Sequence, residues 1–269
     1  MPASLFTAAR RCLDATTPEA KLAATFAAAG AFARGELSIP DDAPAPEPIR
    51  MPGRPARPVL VPTRDLAQRG LGTPAGRAAF VHAIAHIEFN AIDLAWDAAY
   101  RFRGLPREYY ADWVGVASDE ARHFAMLRGR LQQLGFDYGA FDAHNGLWEM
   151  AEQTAHDGLV RMALVPRVLE ARGLDVTPGM IVKLRALGDE ATAGILEVIL
   201  TEEVAHVAVG SRWFRWYCAR AGIAPGPRFR ELLMQHSRGV LRGPFNLEAR
   251  SAAGFDDEEL AMLQAFPPR

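Results

Sequence analysis

Cysteine is scarce. Cys12 and Cys218 are the two in 269 residues, too few for a disulfide framework, a Cys-x-x-Cys redox pair or a thiolate zinc site. This suits a reducing compartment. Long apolar runs are missing: no stretch reaches the roughly 18–20 uninterrupted apolar residues of a membrane helix. An excess of one charge is also missing. A net charge of -2 and a pI near 6.4 give no global pull toward nucleic acid or an anionic membrane. Arg10 and Arg11 follow a short apolar run, the reverse of the order in a secretory signal. A soluble, cytoplasmic protein with no membrane association is expected. Strand signals are nearly absent, so the expected class is all-α. At 49% hydrophobic, the chain is rich enough to bury a substantial core.

Proline is plentiful but concentrated. Pro40, Pro44, Pro46, Pro48, Pro52, Pro55, Pro58 and Pro62 make an extended strap, since each fixes φ and lacks a backbone donor. The apolar Val59-Leu60-Val61 suggests that part of the strap is pinned. Before it, helices are expected over 4–14 and 18–34, the second opened by Thr17 as N-cap and Pro18 at the first turn. After it, Thr73-Pro74 repeats that signal for a helix to about 102. Further helices are expected over 106–134, 147–172, 179–187, 189–220, 228–241 and 256–265, with a kink at 173–178 where Gly173 and Pro178 fall. The implied organisation is an N-terminal helical extension (1–38), the strap (39–72), a four-helix bundle (73–221) and a C-terminal helical extension (222–269).

Two copies of one pattern carry the chemistry. Asp119-Glu120-Ala121-Arg122-His123 and Glu202-Glu203-Val204-Ala205-His206 each place a His three residues after a Glu, hence on the same helical face. Each pair is a two-toothed metal ligand. Glu88 precedes Glu120 by 32 residues, and Glu170 precedes Glu203 by 33. Two carboxylate helices and two Glu-x-x-His helices form the ligand set of a dimetal-carboxylate four-helix bundle. Glu88 and Glu120 lie equally far from Gly104, about 24 Å at 1.5 Å per residue, so an antiparallel turn there brings them level. Glu170 and Glu203 are level about Gly188 if the helix continues through the kink. The surrounding positions are apolar and often small. Four carboxylates in such surroundings call for cations, and two divalent metals balance them. Oxygen donors with two imidazoles suit iron, with manganese or a mixed pair as the alternative. Asp119 and Glu202, four residues before each His, are placed to accept its second ring N–H.

On these residues the chain resembles a known group. DEARH at 119–123 is similar to the (D/E)-E-x-R-H signature of the diiron-oxygenase branch of the ferritin-like superfamily. The resemblance implies Glu88 and Glu170 as single carboxylate ligands, and Glu120, His123, Glu203 and His206 as the paired ones. It places Asp119, Arg122 and Glu202 behind them. Ala205 stands where the second copy of the signature would carry Arg. Over nearly its whole length the chain also resembles a bacterial ferritin-like family known mainly as a domain of unknown function. That likeness rests on the alanine-rich first helices, the strap, LEARGLD at 169–175 and GPFN at 243–246.

Several residues have plainer readings. His82 and His86 point away from the Glu88 face, His156 is 14 residues from Glu170, about 21 Å along a helix, and His144 and His236 have no evident partners. Trp96, Trp113, Trp213 and Trp216 read as core packing. Arg50, Arg54, Arg57, Arg64 and Arg69 could hold an anionic substrate, RNA included, although surface contacts suit the near-neutral chain better. The functional expectation is a diiron or iron–manganese oxidase or oxygenase acting with O2, an organic substrate and an external electron donor. Iron storage and a structural metal staple are the rival readings.

Overall fold

In a computed structural model, residues 3–236 and 241–266 are described. The fold is all-α, with a two-residue parallel strand pair, β1 (Ala3–Ser4) and β2 (Leu37–Ser38), as its one small sheet among the described residues. The chain divides into two compact units, one ending at Glu152 and the other beginning at Gln153.

In the first unit, α1 (Leu5–Asp14) and α2 (Pro18–Ala33) pack on the hairpin of α3 (Pro74–Arg101) and α4 (Arg107–Gln133). Local chemistry sets the ends. Ser4, Thr17 and Thr73 each accept a first-turn N–H, and proline stands at the first turn of α2 and α3. Gly104 turns the hairpin at φ 66° and Gly135 ends α4 at φ 83°, conformations open to glycine because it lacks a Cβ. The strap runs extended to a short 3-10 turn (Thr63–Asp65). Its Val59–Val61 segment is pinned as expected: the Val61 N–H donates to Ala143 O at 2.8 Å, and the Ala143 N–H to Val59 O at 3.0 Å. A short α5 (Gly146–Gln153) follows.

Buried polar pairs fasten the first helices to α3. Lys21 is fully buried on α2, and its ammonium is bonded to Asp93 and to Cys12 O. The Trp96 indole N–H donates to Thr25 at 3.0 Å, so this tryptophan belongs to the core, as do Trp113 and Trp213.

The second unit contains α6 (Gly158–Leu164), a π-helical turn (Val165–Glu170), α7 (Ala171–Ala186), α8 (Glu190–Ala221), α9 (Pro225–His236), α10 (Leu247–Ala252) and α11 (Asp257–Gln264). The expected helix over 147–172 is broken between Gln153 and Gly158, where Asp157 caps α6. The chain is not broken at 173–178, where separate helices were expected to meet at a kink, for α7 is helical through both Gly173 and Pro178. Pro178 has no N–H for Leu174 O, but the Asn246 side-chain amide donates to that carbonyl at 3.2 Å, so the helix goes on. Helix α9 begins at Pro225 rather than 228, and α10 had not been foreseen. The part of the expected 228–241 helix at residues 237–240 lies outside the described residues. In element order the chain matches a ferritin-like bundle, with one long hairpin, α3–α4, in the first unit and its counterpart, α7–α8, in the second.

Candidate metal centre

Glu88 on α3 and Glu120 and His123 on α4 are all buried. The count of residues from Gly104 brings them level across the hairpin, and one ligand atom of each lies within 4.8 Å of the others. His123 Nδ1 is 3.2 Å from Glu88 Oε2 and 3.4 Å from Glu120 Oε2. The flanking positions Ala91, Ile92, Ala95, Val116, Ala117, Phe124 and Leu127 are buried and apolar, which keeps water from the group.

Electrostatics show what this group requires. Burial by itself would lower the His123 pKa, but hydrogen bonds and charge from Glu120 and then Glu88 outweigh it and push the pKa up to about 11. Two carboxylates in apolar surroundings thus demand a positive charge at Nδ1. A divalent cation answers the same demand, taking the nitrogen lone pair and releasing the proton. The donor set therefore fits a hard or borderline metal ion.

The second unit repeats the local geometry. On α8, His206 Nδ1 is 3.3 Å from Glu203 Oε1, and the two side chains are 3% and 12% exposed. Glu170 is the last residue of the π turn and is half-buried. Glu202 is half-buried on α8. Asp119 accepts from Arg122 at 2.9 Å, both about two-fifths exposed.

His82 and His86, outside this set, make contacts within the first unit. His82 Nε2 accepts from the Gly139 N–H at 2.9 Å. His86 is bonded to Tyr138 Oη at 2.8 Å and to His144 O at 3.0 Å. Arg54 holds Pro58 O and Arg69 stacks on Phe141, so these strap arginines make contacts within their own unit.

Residues that the sequence reading passed over lie around Glu170. Arg167, Arg250 and Glu259 are buried, and Arg250 pairs with Asp175. Pro178 within a helix was the available signal, since it requires a donor from elsewhere.

The helix order and the buried carboxylate–histidine cluster define a ferritin-like metal-binding protein. The chain belongs to the family described as "Protein of unknown function (DUF455)", which matches residues 14–261. It is 45% identical over 213 residues to an uncharacterized protein of Haemophilus influenzae, an alignment covering 77% of this chain and 74% of that one. No solved structure matches it.

Proposed function

We propose that Glu88, Glu120, His123, Glu170, Glu203 and His206 are metal ligands, and that the protein is a non-haem diiron or iron–manganese oxidase or oxygenase. The observation that carries this reading is His123 Nδ1 held by two buried carboxylates at 3.2 and 3.4 Å. The Glu-x-x-His geometry repeated at Glu203 and His206 supports a second pair of ligands of the same kind. Glu88 and Glu170 serve as single carboxylate ligands, and the two Glu-x-x-His pairs supply the remaining donors. When bound, iron or manganese supplies redox chemistry toward dioxygen.

The chain itself contributes placement and exclusion. The helices α3 and α4 hold Glu88, Glu120 and His123 on one face, and the apolar residues beside them keep the site dry. Asp119, Arg122 and Glu202 stand behind the ligands and set local charge. The substrate is an organic molecule, small or anionic, and reducing equivalents come from an external donor. Both cysteines are buried free thiols, in keeping with a cytoplasmic setting, and no helix among the described residues is long and apolar enough to cross a membrane.

The test is dioxygen uptake by anaerobically iron-loaded, reduced protein. Wild type should consume dioxygen, whereas Glu120→Ala should not. A loaded, reduced wild type inert to dioxygen refutes the oxidase reading.

A further inference from the structure

The helix that carries Glu170 is irregular, and its irregularities are answered from elsewhere in the second unit. Pro166 is the second residue of the π turn and Pro178 lies inside α7, and each removes one helical hydrogen bond. The carbonyl left by Pro178, Leu174 O, receives the Asn246 amide at 3.2 Å, and the Asn246 backbone N–H donates to Asp175 at 2.9 Å. Arg250 donates to both Asp175 oxygens at 2.9 and 2.7 Å, and to Ala171 O at 3.3 Å. Ala171 directly follows Glu170.

On the other side of Glu170, Arg167 is 1% exposed. It donates to Glu259 on α11 at 2.6 Å and to Ser211 at 3.2 Å. Its guanidinium lies 4.1–4.8 Å from the ring centres of Phe229, Phe255 and Phe214. Pro166 rests in a notch made by Gly210 of α8, where an added Cβ would meet the Pro166 ring at 2.3 Å. Buried ion pairs such as Arg167–Glu259 and Arg250–Asp175 add little stability over apolar residues of like volume, yet losing one partner is costly. Such pairs tolerate little displacement, which suits them to fixing geometry.

We infer that the C-terminal segment is a clamp that positions Glu170, with Asn246, Arg250 and Glu259 as positioning residues acting on the π turn and the start of α7. This inference rests on the reading of Glu170 as a metal ligand. The GPFN segment at 243–246 thereby acquires a role through Asn246, the donor that lets the helix pass Pro178.

The test is Mn(II) titration of the full-length protein, followed by the electron paramagnetic resonance of free Mn(II), with helicity monitored in parallel. Wild type should bind two ions. Glu259→Gln should weaken one of the two sites by about tenfold or more, in line with the effect of groups that orient metal ligands, and leave the other unchanged. Gly210→Ala should do the same. It keeps every buried charge and adds helix propensity, so it decides the matter if Glu259→Gln does not fold. Asn246→Ala should produce a milder one-site loss, reversed by adding Pro178→Ala, which returns an N–H to Leu174 O. Unchanged binding in Gly210→Ala, equal weakening of both sites, or no rescue by Pro178→Ala overturns the clamp. A wild type that fails to bind two ions refutes the ligand reading itself, and the clamp falls with it.

Discussion

Replacing Asp93 by alanine strands a charged Lys21 in the core of the first unit. The two side chains are 2% and 0% exposed, and Lys21 would keep Cys12 O, a neutral acceptor at 3.2 Å, and the Phe89 ring, 5.2 Å from its ammonium, with no anionic partner in the pair's place. Breaking a buried pair in this way costs about 3–5 kcal/mol, because an uncompensated charge remains. Against a total stability on the order of 5–15 kcal/mol, that is a large fraction. At a urea dependence of about 2 kcal/mol per molar, the midpoint falls by about 2 M. Lys21→Met with Asp93→Leu removes both charges and their desolvation together, and should return stability to within about 1 kcal/mol of wild type. The assay is urea unfolding followed by circular dichroism and tryptophan fluorescence, for wild type, both single variants and the double variant. A loss under about 1 kcal/mol for Asp93→Ala, or a double variant as unstable as the sum of the singles, would refute the argument that this pair is buried and coupled.

Acid should weaken the first unit through His82 and His86. Burial lowers both pKa values to about 4, from about 6.5 in the unfolded chain. The unfolded state therefore binds protons first as pH falls. Stability is full above pH 6.5 and declines down to pH 4, by about 3 kcal/mol per histidine. Asp93, raised by burial against the pull of Lys21, gives a slope of the opposite sign. The informative quantity is thus wild type minus His86→Gln, whose difference should shrink from pH 7 to pH 5; a constant difference contradicts it. Gly53→Ala should loosen the strap. Its N–H donates to Leu13 O at 2.6 Å, and a Cβ would meet Asp14 O at 2.4 Å, an overpacking cost of about 1–3 kcal/mol. Faster proteolysis within residues 39–62 than in wild type is the expected readout. Glu203→Ala should lose metal while keeping its helical circular dichroism; loss of the fold would favour a structural staple.

Features written into short stretches of sequence were legible. Thr17-Pro18 and Thr73-Pro74 opened helices where expected, because capping depends on neighbouring residues. The Glu-x-x-His pairs lie on one face because helical period makes them do so, and counting from Gly104 brought Glu88 level with Glu120. What the sequence concealed was supplied over long separations. Pro178 reads as a helix breaker, yet Asn246 repairs the helix from beyond α9. Nothing beside Lys21 in its alanine-rich helix announces that it is buried on Asp93. The aromatic box around Arg167 draws its rings from α8, α9 and the segment before α11, and no local pattern announces it.

The central claim is that this chain holds a pair of metal ions. The most direct measurement is elemental analysis of untagged, full-length protein expressed in medium supplemented with iron and manganese. The account predicts about two iron or manganese ions per chain, reduced in Glu120→Ala. A folded, helical protein carrying no transition metal would contradict it.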